Sequence, residues 1–331
     1  MRVSVIIPTY NRAAFISQAV NSVISQCRDE DEVIVVDDGS DDDTEARLAP
    51  FRSRIVYRKI ANGGAGRARN IGLSVAKNPL IAFLDSDDEW LPGKLEIQRA
   101  LMAARPDILF CFSNLTFRYS SDCQQKRTAP PAFSDVLGPG LPFSSIAPLP
   151  EGRSDWNVHI GDLYAKQMEK EYVSLCTLIF RRHEALTSLR FPEDLPTRED
   201  WEFVGRLARR GLAAHLDGET VIANLHGGPQ LTKLDSLLFI DARLKLLERV
   251  WGSDAAFMDK YGSRYHEVLY ELRLRRIQKL LARGRAGEAR IELKRTKHVP
   301  FRYRILCHAP GRTTEVVLKA GRYFGEKTGR K

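Results

Sequence analysis

Long apolar runs are missing from this chain. No stretch approaches the roughly 18 residues needed to cross a bilayer, and the N-terminal run Val3-Ser4-Val5-Ile6-Ile7 stops at Pro8. Neither an ordinary membrane helix nor a secretory signal peptide is therefore expected. Cysteine is also scarce: Cys27, Cys111, Cys123, Cys176 and Cys307 are odd in number, form no CxxC pair, and several lie in strand-like apolar contexts. The expectation is reduced packing residues in a cytoplasmic protein. No internal repeat is visible. The apolar content of the 331 residues excludes disorder of the whole chain and leaves room for a large α/β domain with an appendage.

Acidic balance is lacking in the last part of the chain. Residues 264–331 hold 19 Lys/Arg against 6 Asp/Glu, whereas the preceding residues carry 32 against 36. The overall charge of +9 thus belongs to the tail. Such a tail attracts phosphate polyanions. Its basic residues alternate with Leu and Ile at helical spacing, however, which suits a packed helix or an anionic membrane surface better than nucleic acid.

The first half alternates strand-like and helix-like segments. Val3–Ile7, Glu32–Val36, Arg54–Lys59 and Leu80–Leu84 read as strands, and helical spacing separates them at 13–26, 41–48 and 67–76. This β-α-β-α-β-α-β order predicts a doubly wound, mainly parallel sheet. Residues 107–114 add a strand, 119–160 reads as a Pro-, Ser- and Gly-rich loop or insertion, and 172–180 restores a strand. A helix over 198–209 and a strand over 220–225 follow; beyond about 233, amphipathic helices dominate, at 237–250 and 265–281.

Polar clusters fall at the expected strand ends, where an open α/β sheet binds its ligand. The first is Thr9-Tyr10-Asn11-Arg12, the second Asp37-Asp38-Gly39-Ser40, and the third Asp85-Ser86-Asp87-Asp88. Three carboxylates within four residues repel one another unless a cation sits among them, so the third cluster suggests a metal and phosphate site. Standing alone, it reads as a solvated acidic turn, and only its surroundings overturn that. Asp38 is either a helix N-cap or an acceptor for a base imide, with Tyr10 beside it to stack. Gly64-x-Gly66 has Arg69 where a dinucleotide fingerprint needs its last glycine, and it follows the third strand, so the nicotinamide or flavin reading fails. The same loop, with Arg67 and Arg69, still suits a diphosphate at a helix N-terminus. Arg198-Glu199-Asp200-Trp201-Glu202 offers either a favourable first helical turn or a general base. His226 closes a strand and is a candidate ligand to an oxygen-held divalent ion.

The segments VSVIIPTYNRAAFISQAVNSVISQ (3–26), EVIVVDDGSDDDT (32–44), NGGAGRARNIGLSVAKNPLIAFLDSDDEWLPGKL (62–95) and REDWEF (198–203) together resemble a family 2 glycosyltransferase of the GT-A fold. The resemblance implies transfer of a sugar from a nucleotide-diphospho-sugar, with UDP as the expected nucleotide, to an acceptor hydroxyl with inversion. By the same resemblance, Pro8, Thr9, Tyr10, Asn11 and Asp38 would hold the nucleoside. Gly64, Arg67, Arg69, Asp85 and Ser86 would complete the nucleotide-sugar site. Asp87, Asp85 and His226 would bind Mn²⁺ or Mg²⁺, and Asp200, with Glu199 as neighbour, would be the base. The approach Leu195-Pro196-Thr197-Arg198 departs from the family's pattern. The implied organisation is a GT-A domain over 1–230, divided at about 1–115, 119–160 and 161–230, with a helical basic extension over 231–331. The implied setting is bacterial cell-surface polysaccharide, lipopolysaccharide or glycoprotein synthesis on a glycan or lipid-linked acceptor, at the inner face of the cytoplasmic membrane. A non-catalytic nucleotide-sugar-binding or scaffold protein is the competing reading, and no nucleic acid partner is expected.

Overall fold

In the computed structural model, residues 1–119, 132–182, 188–227 and 235–308 are described. The chain divides into two compact units, Met1–Pro229 and Gln230–Lys331.

The first unit opens with β1 (Val3–Thr9), α1 (Ile16–Ile24), β2 (Glu32–Asp37), α2 (Thr44–Leu48), β3 (Val56–Lys59), α3 (Ala65–Val75) and β4 (Leu80–Phe83). β5 (Glu89–Trp90), α4 (Lys94–Ala104) and β6 (Ile108–Tyr119) follow, then α5 (Ser134–Leu137), β7 (Gly140–Pro142) and β8 (Asn157–Gly161). α6 (Tyr164–Glu169), β9 (Ile179–Arg181), α7 (Glu199–Ala208) and β10 (Leu212–Leu225) complete it. All but β5 lie along one sheet in the order β3-β2-β1-β4-β9-β6-β10-β8-β7, and β5 pairs with β10. β1 pairs in parallel with both β2 and β4, as β2 does with β3. β9 enters antiparallel between β4 and β6.

Both faces of this sheet are covered, which explains the unbroken apolar strands. Val3, Val5 and Ile7 of β1 face one core with Ile16, Val20 and Val23 of α1, while Ile6 faces the other with Ile34, Phe83 and Ala68. α1 buries Ile16, Ala19, Val20 and Val23, one stripe at helical spacing. α3 approaches β1 through Gly72, where an added Cβ would collide with the Ile6 side chain. In α4, buried Lys94 donates to Gln98 Oε1 at 2.7 Å and sits 4.2 Å from the Trp90 ring. Burial brings this ammonium down to a pKa of about 7.

Three expectations need correction. The 119–160 region is not simply a loop: within its described part, α5, β7 and β8 form, and β7 and β8 extend the sheet. β7 closes on Pro142 at the end of the strand order, where a missing N–H costs no interior ladder bond. The rest, 120–131, lies outside the described residues. The strand expected over 172–180 is instead a 3₁₀ turn, Leu175–Thr177, before a short β9. Side chains take its carbonyls, with Trp90 Nε1 donating to Cys176 O and Gln98 Nε2 to Thr177 O. Finally, β10 begins well before Thr220; Asp217-Gly218-Glu219 interrupt its apolar pattern where its register against β6 shifts.

The second unit contains α8 (Ser236–Leu247), a π-helical turn at Glu248–Gly252, α9 (Ala255–Ala282), α10 (Ala286–Arg295) and α11 (Phe301–Leu306). Leu237, Ile277, Leu280, Leu281, Val299, Tyr303 and Leu306 form its own apolar cluster. Among the described residues, no helix is long and apolar enough to cross a membrane. The fold makes one prediction: Gly72→Ala should lower stability by about 1–3 kcal/mol through overpacking against Ile6. A thermal or denaturant melt coinciding with that of the wild type would contradict the close approach.

Candidate active site

The strand order reverses at β1, whose neighbours are β2 and β4, and the resulting switch-point crevice opens at the strands' carboxyl ends. Thr9, Asp37 and the Leu84–Asp88 segment all arrive there. Sequence-distant pieces are joined by backbone hydrogen bonds: Asp38 N donates to Thr9 O at 2.8 Å and Leu84 N to Ile6 O at 3.1 Å. Pro8 is buried in β1, Tyr10 is 45% exposed, and the buried Thr9 Oγ1 has no hydrogen-bond partner. Asn11 turns the chain with φ +50°; its N–H donates to Ser40 Oγ, and its Oδ1 accepts from Asp41 N.

Asp38 holds the glycine loop. Its two carboxylate oxygens accept from the N–H groups of Gly63 and Gly64 at 2.8 and 2.7 Å. Gly64, at φ +90°, then leads into α3, a conformation that disfavours any residue with a Cβ. Arg67 is exposed in the first turn of that helix, whereas Arg69 is 5% exposed. Arg69 Nη2 donates to Asp85 Oδ1 at 2.8 Å, and its Nη1 donates to Glu199 Oε1 at 2.7 Å. Burial opposes that charge, but the two carboxylates more than offset it and keep the guanidinium protonated. Arg69 therefore acts through Asp85 and Glu199 and presents little surface of its own to a ligand.

Beyond β4, Ser86 is buried and Asp87 is surrounded by donors. Asp87 Oδ2 lies 3.2 Å from both Arg12 Nε and His226 Nε2. His226 follows β10 and stacks on Phe15 with ring centroids 4.6 Å apart. Asn224 fixes the turn by donating from Nδ2 to Asp87 O and from its backbone N to Asp88 Oδ1. Burial, followed by repulsion from Asp85 and Asp87, raises the Asp88 carboxyl well above the usual range. No group of three His, Cys, Asp or Glu side chains close enough to hold a metal occurs among the described residues. The donor set nevertheless fits an octahedral cation that takes one or two protein ligands and completes its shell with phosphate and water. Asp87 and His226, with facing Oδ2 and Nε2 atoms 3.2 Å apart, are the donors such a cation would take. Asp85 is committed to Arg69 through one oxygen.

The acid pair opens α7. Arg198 adopts φ +63° and forces the turn that starts the helix, which places Glu199, Asp200 and Glu202 in its first turn. Burial raises Glu199, with repulsion from Asp200 adding to it and Arg69 opposing it. Asp200 keeps intermediate exposure, yet desolvation and then the Glu171 charge push its carboxyl up to about 7. Its Oδ1 accepts from its neighbour's N–H, at Trp201, at 2.7 Å. A carboxylate in that range suits proton abstraction at neutral pH.

Sequence reasoning placed Arg12 in a polar cluster without giving it a role, and missed Asn224 and Glu171. Arg12 and Asn224 carried a signal, since Arg12 closes the Tyr10-Asn11-Arg12 turn and Asn224 lies two residues before His226 at a strand end. Glu171 carried none.

The sheet order, the crevice and the added helices are those of a GT-A glycosyltransferase fold. S. aureus TarS 1-349 in complex with UDP aligns at TM-score 0.60 with 20% identity, covering 100% of this chain and 92% of that one. Residues 4–146 match the family described as Glycosyl transferase family 2. The Escherichia coli protein named UDP-Glc:alpha-D-GlcNAc-diphosphoundecaprenol beta-1,3-glucosyltransferase WfgD is 37% identical over 131 residues, 39% of this chain and 51% of that protein. The putative teichuronic acid biosynthesis glycosyltransferase TuaG of Bacillus subtilis is 43% identical over 108 residues, 31% of this chain and 42% of that protein. The chain thus spans about half or less of the length of these curated relatives.

Breaking the Arg69 bridge leaves Glu199 buried and unpaired. Arg69→Met should therefore cost about 3–5 kcal/mol in urea unfolding. A loss within the roughly 1 kcal/mol of a surface pair would contradict a buried bridge.

Proposed function

We propose that this protein is an inverting glycosyltransferase that moves a sugar from a nucleotide-diphospho-sugar to an acceptor hydroxyl in bacterial cell-surface polysaccharide synthesis. The observation that carries this reading is the separation of two carboxylate sites across Arg69. Asp87 with His226 lies on one side, and Asp200, raised to about 7, on the other. UDP is the proposed nucleotide, supported by the name of WfgD and by the UDP complex of TarS. The acceptor class we favour is a lipid-linked saccharide, as WfgD's name describes for that enzyme.

In this reading, Tyr10, with its exposed ring, stacks on the base, and the unpartnered Thr9 hydroxyl, Asn11 and Asp38 form the nucleoside wall. Gly64 and Arg67 bring backbone N–H groups and positive charge at the start of α3 towards the phosphates. Asp87 and His226 would hold Mn²⁺ or Mg²⁺, with Asp85 and Ser86 beside them. The ion would supply electrostatic stabilisation of the departing diphosphate. Asp200 then takes the proton of the acceptor hydroxyl as its oxygen attacks the anomeric carbon and the bond to the diphosphate breaks. Glu199 keeps Arg69 in place between the two carboxylate sites.

A second surface supports work at a membrane. In α11, Phe301 is 75% and Ile305 52% exposed, four residues apart on one side, flanked by exposed Arg302 and Arg304. Exposed apolar side chains among cations are the pattern of a helix lying in an anionic interface.

Three outcomes test this reading. Asp200→Asn should abolish release of nucleoside diphosphate by transfer while calorimetry still shows UDP binding within about threefold of the wild type; since 1.4 kcal/mol is tenfold, that is a change of under 1 kcal/mol. Loss of binding with the transfer step would remove Asp200 as the base. Excess EDTA should silence transfer and Mn²⁺ should restore it, so full activity in EDTA would refute the role of Asp87. On vesicles containing phosphatidylglycerol, the double variant Phe301→Asp with Ile305→Asp should partition about tenfold or more weakly than the wild type. Equal sedimentation of the two proteins would refute the membrane face.

A further inference from the structure

Asp87, the carboxylate assigned to the divalent ion above, also faces a cation of the chain itself. Arg12 Nε lies 3.2 Å from Asp87 Oδ2, and His226 Nε2 lies 3.2 Å from the same oxygen. The side chains of Arg12, Asp87 and His226 are only 19%, 16% and 11% exposed, so salt screens this corner less than an open surface bridge. The backbone of Arg12 is fixed on both sides. Its N–H donates to Thr44 Oγ1 at 2.9 Å, and its carbonyl accepts from Phe15 N and Ile16 N at 2.9 Å, where α1 begins. Phe15 is the ring on which His226 stacks. From the side chain, Nη1 donates to Asn11 O at 3.2 Å, in the turn that Ser40 Oγ and Asp41 N hold through Asn11. One residue thus ties Asp87 to the Tyr10-Asn11 wall of the nucleoside site.

Two cations share such a corner at a cost. A guanidinium and a divalent ion drawn to one carboxylate repel each other, and more strongly in a half-closed crevice than in water. A diphosphate entering the crevice reverses the balance, because its negative charge compensates both. We propose that Arg12 couples cation binding to nucleotide binding: it is the counter-ion of Asp87 until a nucleoside diphosphate enters, and it then yields that carboxylate to the divalent ion. This deepens the donor site described under the proposed function and rests on the reading of Asp87 and His226 as the ion's donors. Arg12 is a positioning residue, and the exchange makes and breaks no covalent bond. Its consequence is that ion and donor enter as a pair, since the crevice resists a cation that comes without its nucleotide.

The test measures Mn²⁺ binding by electron paramagnetic resonance and UDP binding by calorimetry on the full chain. It compares wild type, Arg12→Met, Arg12→Lys, and Arg12→Met combined with Asp87→Asn. In the wild type, UDP should tighten Mn²⁺ about tenfold or more, and Mn²⁺ should tighten UDP by the same factor, as linkage requires. Arg12→Met deletes the charge and keeps most of the stem. Without nucleotide it should bind Mn²⁺ about tenfold more tightly than the wild type, because the competing charge is gone. The factor by which UDP tightens Mn²⁺ should fall to about threefold or less in the same variant. Arg12→Lys keeps the charge and should stay within about threefold of the wild type for Mn²⁺ alone. The gain should vanish when Asp87→Asn is added. A merely structural role for Arg12 predicts weaker Mn²⁺ binding in Arg12→Met, so a loss, no change, an undiminished coupling or a gain that survives Asp87→Asn overturns the proposal. A wild type that binds Mn²⁺ but no UDP instead overturns the nucleotide-sugar reading, while the nucleotide-free comparison still decides the competition at Asp87.

Discussion

One buried guanidinium holds this site together. Arg69 bridges Asp85 from the end of β4 and Glu199 from the start of α7, two segments far apart in sequence. Glu199, buried without Arg69, would be costly, because a desolvated charge without a partner is among the most destabilising features a fold can carry, whereas Asp85 keeps part of its carboxylate in water. With Arg69 between them the charges are compensated, and the turn after β4 is tied to the start of α7. The close approach of α3 to β1 at Gly72 is what delivers Arg69 to that position.

From this bridge the two sides diverge chemically. On the β4 side, Asp87 meets His226 and Arg12, and Asn224 locks the turn beneath it. That environment places nitrogen groups of Arg12 and His226 around one Asp87 oxygen. On the α7 side, Asp200 faces desolvation and a second carboxylate, and its affinity for protons rises. Paired acids whose surroundings separate their proton affinities are the usual means by which one fold supplies different roles at one pH. Both environments follow from where strands end and one helix begins.

Much of this was legible in the sequence because it is local. Apolar runs ending abruptly in Thr9–Arg12, Asp37–Ser40 and Asp85–Asp88 marked three strand ends of one parallel sheet, and parallel strands must bring such ends to one edge. The acids of Arg198–Glu202 likewise announced a helix start. What remained hidden depends on contacts between distant segments. Asp38 reads as a nucleoside acceptor, yet the structure shows its oxygens also organising Gly63 and Gly64. Arg69 reads as a phosphate contact, whereas the fold buries it between carboxylates. β9 was overextended because a run of apolar residues does not reveal that Trp90 and Gln98 claim its carbonyls. Glu171 lies in no periodic or motif context, and the docking of Trp201 on Gln167 together with its pairing to Arg198 brings its segment to the start of α7.

The central claim is that the leaving group and the nucleophile are served by separate carboxylates held apart by Arg69. It is tested most directly by a crystal of the protein with Mn²⁺ and UDP, measured at the manganese absorption edge. The account predicts one strong anomalous peak in contact with Asp87 and His226 and bridging the diphosphate, with Asp200 outside its coordination shell. A peak ligated by Asp200 or Glu199, or a diphosphate bound with no metal beside Asp87, would contradict it.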